Sequence, residues 1–169
     1  REYNEFNGET PAGIYTLDGV MPYADRPEIY GRYRRLIMTF VPTASNETLI
    51  KSLLPPSHHS ENWWKESVVA RDMGRSALRI HGTLRRNDDK SSSYYPYYPT
   101  FGCVASLEDT YDGVTYIDQR LLLDQLMQQQ GLQPIYENET RIRARFYVVE
   151  INDQAAPVTL NDLRNYGIQ

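Results

Sequence analysis

From Ile142 to Ile151 the chain alternates, with Ile142, Ala144, Phe146 and Val148 set against Arg141, Arg143, Arg145 and Tyr147. Successive side chains of a strand point to opposite faces, so this pattern demands a sheet with one face on a core and the other toward water. Gly13 to Leu17 and Tyr33 to Val41 read as further strands. In the second, Tyr33, Leu36, Ile37, Met38, Phe40 and Val41 supply β-prone residues and Pro42 ends the run. Ser76 to His81 is a short β-like run that places His81 at a strand end. Asp118 to Gln130 is helical, with Leu122, Leu126 and Gln129 on one stripe, Leu121, Leu123 and Met127 nearby, and Gly131 as the C-cap. Asn46 to Ile50 and Ser57 to Met73 read as helices covering the sheet, Ser57 capping the second after Pro55-Pro56. The fold class is therefore mainly β with α-helices (α+β). With 169 residues, 40% of them apolar, the expectation is one domain over 1–169 with its core in about 10–151. No internal repeat is visible.

The net charge of −4 argues against general nucleic-acid affinity, which needs a basic surface to displace counterions from phosphates. No apolar run approaches the ~20 residues that cross a bilayer. The chain opens at Arg1 without a secretory signal, so a processed or trimmed chain is expected.

Cys103 is the single cysteine and follows Thr100-Phe101-Gly102. A free thiol titrates near pH ~8.5, so a nucleophilic role calls for a neighbouring base. His81, in Ile80-His81-Gly82-Thr83, is the candidate. A glycine before the nucleophile permits a sharp turn, and the N–H groups of Gly102 and Cys103 are placed to meet an oxyanion, with Thr100 in support. Acyl transfer is the matching reaction class. The bland alternative is a buried small hydrophobe, and the two differ in thiol chemistry: a catalytic Cys103 is expected to have a depressed pKa and a structural one is not.

The two motifs resemble the L,D-transpeptidase (YkuD-type) catalytic domain of bacterial cell-wall enzymes, whose signature is a His-Gly or His-Ser step, a variable insert, then Ser/Thr-His-Gly-Cys. Thr10-Pro11-Ala12-Gly13-Ile14-Tyr15 resembles the family's Thr-Pro-x-Gly-x-Phe/Tyr turn, and the likeness spans about residues 10–150. The chain departs from the pattern at Phe101, where the family has His, and at Ala105, where it commonly has Arg or Asn. Phe101 neither donates a hydrogen bond nor takes a proton, which removes any second essential histidine.

The resemblance implies a β-sandwich with covering helices and a long lid loop. It implies a periplasmic or cell-envelope location, and a wall-binding module ahead of Arg1. It further implies that Cys103 attacks a carbonyl of a peptidoglycan stem peptide while His81 takes the thiol proton, its other ring nitrogen held by the Gly82 carbonyl. Resolution of the thioester by an amine is transpeptidation and by water is L,D-carboxypeptidase activity; a non-catalytic peptidoglycan-binding relative is the third reading.

The insert between the motifs holds Ser91-Ser92-Ser93-Tyr94-Tyr95-Pro96-Tyr97-Tyr98-Pro99 and reads as a lid or groove wall, Tyr95 and Tyr97 offering faces for peptide or sugar. Phe101 joins them as a binding candidate. Arg79, Arg85 and Arg86 flank His81 and are positioned to attract stem-peptide carboxylates, substituting for the missing Arg at Ala105. Asp88, Asp89 and Lys90 read as a solvated turn. Of Trp63 and Trp64, one is expected in the core and one on a helix surface. Adjacent His58 and His59 diverge on a helix and lack further ligands, so no metal and no cofactor are expected. Arg141, Arg143 and Arg145 read as a solvent-facing strand edge.

Overall fold

A computed structural model describes residues 8–22, 26–40, 60, 63–92 and 95–149. Six strands form one sheet: β1 (Gly13–Met21), β2 (Arg35–Phe40), β3 (Arg79–Thr83), β4 (Val104–Tyr111), β5 (Val114–Ile117) and β6 (Ala144–Val148). Their spatial order is β5-β4-β3-β2-β1-β6. The helices are α1 (Pro27–Tyr30), α2 (Lys65–Asp72) and α3 (Asp118–Gln129), with a 3-10 turn at Tyr136–Arg141. The architecture is mixed α+β.

All neighbouring strands run antiparallel except β3 and β4, which are parallel with His81 opposite Ala105. Parallel neighbours need a long crossover, and here residues 84–103, which contain the tyrosine- and proline-rich insert, provide it. β4 and β5 are joined through Asp112-Gly113, both at positive φ (49° and 80°), the pairing that a tight two-residue hairpin favours.

Strand alternation divides the sheet into two faces. Tyr15, Leu17, Leu36, Met38 and Ile80 point to one side and pack with Leu123 and Met127 of α3 and with Ile142 in the principal core. The buried stripe of α3 is Gln119, Leu123 and Met127, while Leu122 and Leu126 flank it and Leu121 is exposed. The stripe is thus rotated from the one the sequence favours, because the sheet meets the helix along its i, i+4, i+8 row. Gly131 ends α3 as expected: at φ 70° it donates to Gln128 O, and Leu132 N donates back to Met127 O.

The second face is covered by Trp63 and Trp64 ahead of α2, which pack on Ala12 and Ile14. Both tryptophans are buried, correcting the expected split between core and surface. The helix read over Ser57–Met73 is observed as Lys65–Asp72; residues 57–59 lie outside the described residues, as do the helix read at 46–50 and the histidines at 58 and 59. The strand read over Ile142–Ile151 spans Ala144–Val148, and its residues 150 and 151 also lie outside them. Arg141, Arg143 and Arg145 are exposed, as expected for a solvent edge.

Polar groups tie α3 to the sheet. Buried Gln119 donates to Arg34 O (2.9 Å) and Ile80 O (3.3 Å), and fully buried Glu139 of the 3-10 turn receives Arg120 of α3 (2.5 Å) and Arg34 (3.2 Å).

Candidate active site

The parallel register of β3 and β4 brings the two sequence motifs together. Ile80 lies opposite Val104 and His81 opposite Ala105, so Arg79, His81, Cys103 and Ala105 share one face of the sheet. On β2, Leu36 lies opposite Ile80, which sets Arg35 beside His81 on that same face. His81 is in the middle of β3 and not at its end, a correction that fixes its backbone on both sides.

This face opens into a cavity of about 550 Å³ whose wall includes Cys103, His81, Arg79, Arg85, Thr100 and Phe101. Tyr30, Arg35, Tyr98 and Met21 also line it. Among the residues singled out for binding, Arg79, Arg85 and Phe101 are therefore brought to the cavity. Tyr95 and Tyr97 lie outside its wall: Tyr95 OH donates to Asp112, and Tyr97 is 45 % exposed. Tyr98 takes their place, with the Arg85 guanidinium 3.8 Å above its ring. Arg86 pairs with Asp88 at 2.8 Å, away from the cavity wall. Phe101 is 76 % exposed, an apolar group on the cavity wall.

His81 is buried, and its Nδ1 lies 2.6 Å from Gly82 O. A carbonyl oxygen only accepts, so Nδ1 carries the proton and Nε2 is the basic nitrogen. The Tyr30 ring meets the imidazole edge-on, centroids 5.5 Å apart. Behind Gly82 stands buried Glu108, which accepts the Arg32 N–H at 2.6 Å. A Cβ on Gly82 would collide with this carboxylate, and one on Gly31 would come within 2.7 Å of the Gly82 carbonyl carbon. Gly82→Ala is expected to cost about 1–3 kcal/mol through overpacking. It should also displace the carbonyl that orients His81; thermal denaturation reads the first effect and Cys103-dependent turnover the second.

The cysteine turn is built with equal economy. Gly102 adopts φ 92°, and a side chain there would press on Arg75 and lie 2.8 Å from Gly8 O. Thr100 Oγ1 donates to Cys103 O. Thr10 Oγ1 donates to Gly102 O at 2.9 Å, and buried Arg75 holds Gly8 O and Glu9 O at 2.8 Å each. The Thr10-Pro11 turn is thus a strap across the cysteine loop. Two further carbonyls are held as well, Pro11 O by Tyr15 OH (2.6 Å) and Ala12 O by Ser67 N (2.9 Å).

Cys103 is half-buried, and burial pushes its thiol up from the ordinary value. The Arg79 backbone N–H and the guanidiniums of Arg79, Arg35 and Arg75 pull the other way without overcoming burial. Burial also pushes His81 down, assisted by Arg35 and opposed by the Gly82 hydrogen bond. The thiol and the imidazole, both on the cavity wall, rest neutral, and the depressed thiol expected of a catalytic cysteine is not found. The arrangement suits a proton transfer coupled to attack, with three cations placed to stabilise sulfur charge as it develops.

Arg35, Tyr30, Arg75 and Glu108 were not singled out in the sequence. Arg35 alone carried a readable signal, a charge inside an otherwise β-prone run at the position that alternates away from Leu36. Among the described residues, no group of three or more His, Cys, Asp or Glu side chains is placed to hold a metal ion, and no helix is long and apolar enough to cross a membrane. No family model, no curated protein and no solved structure matches the chain.

Proposed function

We propose that this protein is a cysteine-dependent acyltransferase acting on peptidoglycan stem peptides in the periplasm or cell envelope, an L,D-transpeptidase with a YkuD-like β-sandwich. The observation that carries the reading is the hydrogen bond from His81 Nδ1 to the Gly82 carbonyl, which leaves Nε2 basic in the same cavity as the only cysteine. Cys103 Sγ bonds to the carbonyl carbon as its proton passes to His81 Nε2. The tetrahedral oxyanion meets the N–H groups of the Gly102-Cys103 turn. The C–N bond then breaks, the leaving amine takes the proton from His81, and a thioester remains. An amine from a second stem resolves it by cross-linking; water resolves it by trimming.

Purified muropeptides incubated with the protein and weighed intact distinguish these outcomes. Dimers joined through position three establish transpeptidation, and shortened stems alone establish a carboxypeptidase. The raised thiol pKa favours one further reading, a cavity that binds stem peptide without turnover. An unchanged muropeptide mixture supports that reading and rejects the enzyme.

The pH profile has a defined sign. Catalysis needs unprotonated His81, whose pKa lies below its ordinary 6.5 because the site is buried. The acid limb of kcat/KM is therefore expected to have its midpoint below 6.5, with activity falling about tenfold per pH unit beneath it. Because the thiol titrates above its ordinary 9.0, no alkaline loss from Cys103 is expected between about pH 7 and 9. An acid midpoint above 6.5 contradicts this assignment of the base.

A further inference from the structure

Glu108 of β4 is 2 % exposed, yet among the described residues it forms no ion pair. Its Oε2 accepts the Arg32 N–H at 2.6 Å, but the Arg32 guanidinium turns to Asp109 instead (3.4 Å). The other oxygen, Oε1, is buried and has no hydrogen-bond partner among the described residues. A buried carboxyl left half-satisfied is unfavourable, and burial pushes this one above the usual carboxylate value. The next residue adds a second cost, since Asp109 stands at φ 102°, a conformation that residues with a side chain rarely adopt. Neither cost serves the stability of the fold. Unfavourable features of this kind persist where function needs a fixed geometry, and here they converge behind the base.

The carboxyl is wedged between two glycines. A Cβ on Gly82 would strike it, and one on Gly31, at φ 71°, would come within 2.5 Å of Oε1. Both contacts lead to His81. Gly82 O holds its Nδ1 at 2.6 Å, and Gly31 follows Tyr30, whose ring meets the imidazole edge-on. We propose that Glu108 is the positioning residue for His81. By clamping the Gly31-Arg32 turn against Gly82 it fixes both the Gly82 carbonyl and the Tyr30 ring, and so holds the imidazole in the Nδ1–H form with Nε2 basic. Shape and hydrogen-bond acceptance carry this role, and charge does not. That the positioned nitrogen serves as a base rests on the acyl-transfer reading; the positioning itself does not.

The test reads the tautomer of His81 from two-bond proton–nitrogen correlation spectra of protein carrying isotopically labelled histidine. His58→Gln and His59→Gln leave His81 as the only histidine. The spectra are taken at pH about 8, above the ordinary imidazole value of 6.5, so that the ring is neutral. Glu108→Ala is expected to lower the ratio of the Nδ1–H to the Nε2–H form at least about fivefold. Glu108→Gln keeps the length and an oxygen for the Arg32 N–H, so its ratio should stay within about twofold of the unaltered protein. Leu126→Ala, a truncation of the core on α3, should also stay within about twofold. A smaller fall in Glu108→Ala, a larger one in Glu108→Gln, or an equal fall in Leu126→Ala overturns the proposal. Should circular dichroism show that Glu108→Ala does not fold, Glu108→Met serves instead. It fills the space between the glycines but lacks the acceptor, so the ratio should fall at least about threefold, and a smaller fall overturns the proposal. Turnover of muropeptides by the unaltered protein is read separately. A ratio that falls as expected without Cys103-dependent product rejects the acyl-transfer reading while leaving Glu108 as the positioning residue.

Discussion

Cys103→Ala should abolish product formation from muropeptides, lowering turnover by at least about 10³-fold, because no other group on the cavity wall is a thiol and no nucleophile replaces it. Folding should survive. Cys103 is only half-buried, its backbone is held by Thr100 and by the strap through Gly102, and losing one sulfur atom there costs about 1 kcal/mol or less. Cys103→Ser sharpens the result: it preserves the shape of the turn, but a hydroxyl beside neutral His81 is a far weaker nucleophile, so it should be nearly as inactive as alanine. His81→Ala should follow closely, since a thiol pushed up by burial has no other base to take its proton. Retained activity in both Cys103→Ala and His81→Ala removes the acyl-transfer mechanism altogether.

The largest expected loss of stability is at Glu139. Its side chain is 1 % exposed; one oxygen accepts from Arg120, and the other lies 3.2 Å from Arg34 Nε as an ion pair. These arginines come from α3 and from the residue just before β2, so the carboxylate joins the helix to the sheet at the strand that also carries Arg35. Glu139→Ala leaves two guanidiniums facing each other with their shared anion gone. Arg120 keeps Asp124, whereas Arg34 keeps only the Tyr136 ring, 4.0 Å away, among its described side-chain contacts. Removing one partner of a buried ionic cluster costs about 3–5 kcal/mol, which for a chain of this size lowers Tm by on the order of 10 °C. Chemical denaturation with an unchanged m-value would show that native stability alone is affected, and a loss below about 1 kcal/mol would show that water reaches this cluster freely.

What could be read from residues was mostly local. The alternation after Ile142 and the Gly131 cap were visible because each depends on neighbours within a few positions, and β6 and the end of α3 lie where those signals put them. β4 and β5 were not read, since Glu108, Asp109 and Thr110 interrupt any apolar run. The usable signal was Asp112-Gly113, a hairpin pair whose positive φ angles are observed. The stripe on α3 was misplaced because several leucines fit a helical face and only the sheet decides which row is buried. At the site, Cys103 and His81 were legible as chemistry, and the Gly82 carbonyl only through the resemblance. The partners that orient them were not, because Glu108 and Arg75 reach the site from distant parts of the chain and carry no motif.

The parallel pairing of β3 with β4 has a consequence for how such a protein can change. The spacing between base and nucleophile is set by ladder register, while the stretch between Arg85 and Tyr98 need only connect the two strands. Doubling the length of a flexible connection costs only about 0.6 kcal/mol in closure entropy. The connecting segment is therefore free to lengthen, shorten or exchange its tyrosines for other groups without disturbing the chemistry beneath it. New ligands can be accommodated by rewriting one surface excursion, with the reactive pair inherited unchanged.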